Sequence, residues 1–99
     1  MEKKDNLIVT LSLQFALNII SFTEMLQQAK KFNLANQLFR SGTSIGANVR
    51  EAQGCESKND FIHKMKIVYK EAEESKYWLE LCDLSENYPK PGKLLNDII

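Results

Sequence analysis

The sequence has little of what most specialised chemistry requires. Among its 99 residues are a single histidine, two cysteines and two prolines. Cys55 and Cys82 form no Cys-x-x-Cys pair and His63 stands alone, whereas a structural zinc site takes about four Cys or His ligands. No metal and no cofactor are expected. Two isolated thiols of this kind suit a reduced, cytoplasmic protein. Surplus charge is also missing: 13 Lys and Arg balance 13 Asp and Glu, so no global field draws the chain to nucleic acid or to an anionic membrane. The apolar run from Leu7 to Ile20 is interrupted by Gln14 and Asn18, short of the roughly 20 apolar residues of a membrane span. Phe22, Glu24 and Met25 stand where a signal peptide would carry its small cleavage-site residues. No membrane partner is expected. Gly-rich phosphate loops and a GxSxG elbow are lacking. Ser41 and Ser44 have no histidine nearby in sequence, and Glu73 and Glu74 are adjacent and splay apart on a helix. The chain does not read as an enzyme.

What is present is helical periodicity. With 43% hydrophobic and 26% charged residues, the chain suits one globular domain over residues 1–99. Leu11, Phe15, Ile19, Phe22, Leu26 and Ala29 recur every three or four residues, and Val9, Leu13, Leu17 and Ile20 run beside them. This predicts a helix over 6–30, capped by Asp5 or Asn6. So wide a stripe fits either the central helix of a bundle or a helix whose outer flank meets another subunit. A second helix is expected over 34–54, capped by Asn33 and ended by Gly54. A third is expected over 59–87, capped by Ser57 or Asn59 and stopping before Pro89. Its seam is Phe61, Met65, Val68, Ala72, Ser75, Leu79 and Cys82. After the Pro89–Gly92 break a fourth begins over 93–99. Short links make neighbours antiparallel. The expected fold is all-α, an antiparallel up-and-down four-helix bundle with the fourth helix truncated.

The second helix carries an apolar line, Leu34, Leu38, Gly42, Ile45, Val49 and Ala52, beside a polar one, Gln37, Ser41, Ser44, Asn48 and Glu51. Gly42 and Gly46 each cost a helix about 1 kcal/mol relative to alanine, which close approach to another helix would offset. Gln37, Ser41, Gly42, Ser44, Gly46, Asn48 and Glu51 therefore read as a helix-packing seam, with a ligand pocket as the alternative. Arg40 is expected to pair with Glu74 across the second and third helices.

The third helix is basic in its first half, with Lys58, His63, Lys64, Lys66 and Lys70, and acidic in its second, with Glu71, Glu73, Glu74, Glu80, Asp83 and Glu86. That order opposes the helix dipole. It suits pairing with neighbouring helices or subunits. Alternatively, Lys58, Lys64, Lys66 and Lys70 form a phosphate-binding band.

The stretch from Gln37 to Ala52, with its Gln, Arg40, Ser44-Ile45, Asn48 and Glu51, resembles the signature of the bacterial four-helix-bundle proteins first noticed as reading frames within intervening sequences of 23S rRNA genes. Ser57, Lys58 and Phe61 match the turn that follows, and Glu74 matches a mid-helix glutamate. The resemblance spans essentially the whole chain. It implies a four-helix bundle that forms ring-shaped homopentamers. It also implies kinship with the accessory protein of diversity-generating retroelements, whose basic ring contacts a reverse transcriptase and nucleic acid. The sequence departs from the family in having Glu51-Ala52 for Glu-Gly, Lys70-Glu71 for Gly-Ser, a short fourth helix and no net charge. The expected role is a homo-oligomeric, pentameric scaffold or accessory protein binding an unknown protein partner. The alternative is an accessory protein that binds RNA or DNA weakly.

Overall fold

A computed structural model describes residues 7–97. It contains α1 (Leu7–Gln28), α2 (Phe32–Ala52), α3 (Lys58–Leu84) and α4 (Lys93–Asp97), and no strand among the described residues. The all-α bundle follows from the periodicity of its apolar residues. The expected caps Asp5 and Asn6, and residues 98–99, lie outside the described residues.

The helix ends show local chemistry that the sequence only half declares. α1 stops because Lys30 takes a left-handed conformation with φ 65°. The Lys30 N–H donates to the Gln27 carbonyl at 2.9 Å and the Lys31 N–H to the Leu26 carbonyl at 2.8 Å, which satisfies the last turn's acceptors. This reversal carries the chain straight into α2 at Phe32. The capping position is therefore Lys31, which makes no side-chain cap bond, and not Asn33. α3 begins as Ser57 Oγ accepts the Asp60 N–H at 3.0 Å. It ends at Leu84, three residues before the expected limit, because Ser85 is extended (φ −82°, ψ 136°). Lys90 folds back there and donates to the carbonyls of Cys82, Asp83 and Ser85.

The middle position belongs to α2, not to α1. α2 packs along both α1 and α3, whose backbones do not meet, and α4 touches both of them at one end. Ile19 and Leu26 of α1, Leu38 and Val49 of α2, and Leu79 and Cys82 of α3 are fully buried between them. Phe61, placed in the α3 seam by its spacing, is exposed, while Met65 and Ala72 are half-buried. Opposite α2 a groove runs between α1 and α3, walled by Leu11, Phe15, Val68 and Ala72 and floored by Ile45. The five residues of α4 reach only its end, where Leu94 is buried and Asp97 stands at the mouth.

α1 approaches α2 closely at the glycines. A Cβ on Gly42 would lie 2.8 Å from Ile19 Cγ1, and one on Gly46 would lie 3.3 Å from the Ser12 carbonyl oxygen. Gly42→Ala gains helix propensity but forces a fully buried isoleucine to move. We expect it to lower stability by about 1 kcal/mol net. Lys30→Gly should raise stability by about 0.5–1 kcal/mol, because glycine adopts the left-handed turn without strain. Thermal melts of the two variants, shifted in opposite directions, check both contacts.

Candidate functional site

The junction of α2 and α3 holds a polar network built from the second helix's polar line. Ser41 and Ser75 are both completely buried, with their hydroxyl oxygens 2.8 Å apart. Ser75 Oγ also lies 2.9 Å from the Glu71 carbonyl. Each hydroxyl has one proton, so both contacts form at once when Ser41 donates to Ser75 and Ser75 to the carbonyl. Ser44 and Asn48, half-buried, donate to carbonyls of their own helix, those of Ser41 and Ser44. Gln37 and Glu51 lie exposed at the outer edge. Gly42 and Gly46 face α1 instead. Of the seven residues expected in one seam, Ser41 meets α3 while Gly42 and Gly46 meet α1, because α2 has a neighbour on each side; Ser44 and Asn48 bond their own helix, and Gln37 and Glu51 stand at the edge.

Outside the serines, Arg40 bridges two carboxylates one turn apart, bonding Glu74 and, at 3.3 Å, Glu71. Glu74 also accepts the Trp78 indole N–H at 3.1 Å, so an ion pair and an aromatic ring are fixed together. The share taken by Glu71, and the Ser41–Ser75 bond, are not evident from sequence. The one available signal was a serine at position 75 of an otherwise apolar seam.

The basic half of α3 is not a continuous band. Lys64 donates to Glu51 at 2.6 Å, and that hydrogen bond holds its ammonium above the ordinary lysine range. Lys58, Lys66 and Lys70 are exposed. His63 is exposed too, and no group of three or more His, Cys, Asp or Glu is arranged to hold a metal among the described residues. Both cysteines are free; burial pushes the Cys82 thiol up to about 11, which leaves it protonated and inert at neutral pH.

α1 has a surface of another kind. Over its 22 residues only Glu24 is charged, and by length and composition it is apolar enough to cross a membrane. Gln14 and Asn18, expected to break the run, leave it apolar enough on average to reach that level, as the core helix of a bundle also does. Ser12, Phe15, Ile19, Phe22, Thr23 and Leu26 are buried in the bundle. Leu13, Leu17 and Ile20 on the outer flank are 48%, 50% and 37% exposed. Leu13, Val9 and Ala16 border a hollow of about 180 Å³ against Gly46 and Ala47 of α2, with Arg50 at its rim. By helical periodicity this flank lies away from the edge that Leu11 turns to the α1–α3 groove.

The buried serine pair is testable. Ser75→Ala should cost about 1–2 kcal/mol by stranding the Ser41 hydroxyl. Adding Ser41→Ala should recover part of the loss, with a coupling of about 0.5–1.5 kcal/mol in a double-mutant cycle read by urea unfolding.

A family model described as 23S rRNA-intervening sequence protein matches residues 4–91, which is most of the chain. A crystal structure of a protein of unknown function from the S23 ribosomal protein family of Bacteroides thetaiotaomicron VPI-5482 is 41% identical, with a TM-score of 0.86. The match covers 92% of this chain and 87% of that one. No curated protein matches the chain.

Proposed function

This chain belongs to the 23S rRNA-intervening sequence protein family, and on that footing we propose that it is a non-enzymatic cytoplasmic scaffold that assembles with copies of itself and presents the assembly to a protein partner. The observation that carries this reading is the outer flank of α1. A helix apolar on nearly all sides is normally covered on nearly all sides, yet α2 covers one face and the flank of Leu13, Leu17 and Ile20 is left to water. These side chains are already about half covered, so completing the burial of each is worth roughly 1 kcal/mol. A second copy of the chain supplies the cover. The resemblance in the Gln37–Ala52 signature points to a closed ring of five.

Light scattering should give a multiple of 11.4 kDa, with a pentamer as the expected species. Leu13→Glu with Leu17→Glu should give the monomer at unchanged helical content. A wild-type protein that is monomeric at micromolar concentration refutes the assembly.

Exposure of Lys58, Lys66 and Lys70 on α3 favours a second reading, in which the assembled ring contacts RNA or DNA. Lys64, held by Glu51, contributes less than its position in the sequence suggests. Each phosphate neutralised adds about −0.9 to the slope of log affinity against log salt for duplex DNA, and about −0.7 for single strands. Binding should be weak and vanish by physiological salt. Lys66→Gln with Lys70→Gln should flatten the slope, measured by fluorescence anisotropy of a labelled oligonucleotide. Lack of binding to RNA and DNA even at low salt ends this reading.

A further inference from the structure

We propose that the hollow between the start of α2 and the end of α3 binds an extended peptide of a partner protein, which seats one large uncharged apolar side chain against Trp78 and bonds its main chain to Asn33 and Gln37. The site is distinct from the α1 flank and goes beyond the assembly reading. Its volume is about 360 Å³. Leu34 of α2 and Leu81 of α3 supply apolar surface, and Trp78 and Tyr88 supply aromatic surface.

The walls are held in place before anything binds. The Trp78 indole is tied to Glu74, and Glu74 to Arg40. Lys31 Nζ sits 4.6 Å from the centre of the Tyr88 ring. A preorganised wall spares a ligand the cost of ordering it.

Charge decides the class of ligand. Arg40 is engaged by Glu71 and Glu74, Lys31 by the Tyr88 ring, and Lys90 by the carbonyls that end α3. None of the residues that line the hollow is charged at neutral pH, so a charged guest would lose its hydration with no counter-charge in the walls. The exposed polar groups that remain at the hollow include the carboxamides of Asn33 and Gln37. Each offers both a donor and an acceptor, the same complement as a peptide bond. They stand one turn apart, roughly 6 Å along the helix axis. Alternate residues of an extended chain, whose N–H and C=O groups point the same way, repeat every 6.6 Å or about that. Two neutral amides at this spacing beside an aromatic wall match a peptide backbone and one apolar side chain.

Trp78 is the only tryptophan, so its emission reports on this hollow directly. The probe is an acetylated, amidated pentapeptide with leucine at its centre and serine elsewhere; the control carries lysine at the centre. Titration with the leucine peptide should give a saturable blue shift, equally in the Leu13→Glu/Leu17→Glu variant, which separates this site from the assembly surface. Affinity should fall about tenfold or more in Asn33→Ala/Gln37→Ala, through loss of two hydrogen bonds. It should fall at least as far for the lysine control. Both replaced residues are exposed, and circular dichroism confirms that the variant folds. No saturable shift, equal affinity for the two peptides, or an unaffected double variant each overturns the proposal. So does a shift that appears on concentrating the protein alone and is lost in the double variant, because a second copy would then fill the hollow.

Discussion

α2 has to accept a long helix on each of two sides, and the bundle depends on how small its residues are where they arrive. On the α1 side Gly42 leaves room for Ile19, which is completely buried as a result. On the α3 side Ser41 and Ser75 bring the backbones together and satisfy each other's hydroxyls. Two glycines inside a helix cost about 2 kcal/mol. Burying one isoleucine returns about the same, and the remaining contacts along α1 add to it. The close approach is thus stable, but it leaves little tolerance for any larger side chain at position 42.

The same arrangement resolves the charge order of α3, which runs against its own dipole. Glu71 and Glu74 meet Arg40 of α2, and Lys64 meets Glu51. Surface pairs of this kind contribute only about 0–1 kcal/mol each. Their value lies more in register: a bidentate guanidinium gripping two carboxylates one turn apart fits one alignment of α2 on α3, and Glu51–Lys64 repeats the constraint nearer the opposite end. Trp78, tied into the first pair, is held at the surface by the same device.

The fold was legible from apolar spacing, because three long helices each carry a face that recurs every three or four residues. Which helix lies in the middle was not, since α1 is the most apolar and yet sits to one side. Its excess of apolar surface belongs to the outside of the bundle, and periodicity alone does not say what covers a face. The helix ends were partly legible. Ser57 caps α3 by the usual serine chemistry, but a lysine in the left-handed position at the end of α1 and another closing α3 from eight residues beyond Cys82 give no local signal. The polar line of α2 was visible as a line. Its division into a buried serine, half-buried groups bonded to their own helix and an exposed carboxamide and carboxylate depends on how far α3 overlaps it. The hollow beside Trp78 escaped for the same reason: Trp78 and Tyr88 are brought to Asn33 and Gln37 only by the packing of α3 and the segment after it on α2.

That the backbones of α1 and α3 do not meet has a kinetic meaning. The long helices meet only their sequence neighbours, through short turns, so the bundle is two hairpins that share α2. Closing short loops costs little entropy, and chains dominated by such local contacts fold in microseconds to milliseconds. Either hairpin can form first and offer α2 as a template to the remaining helix. The topology thus permits either order of assembly, with α2 common to both.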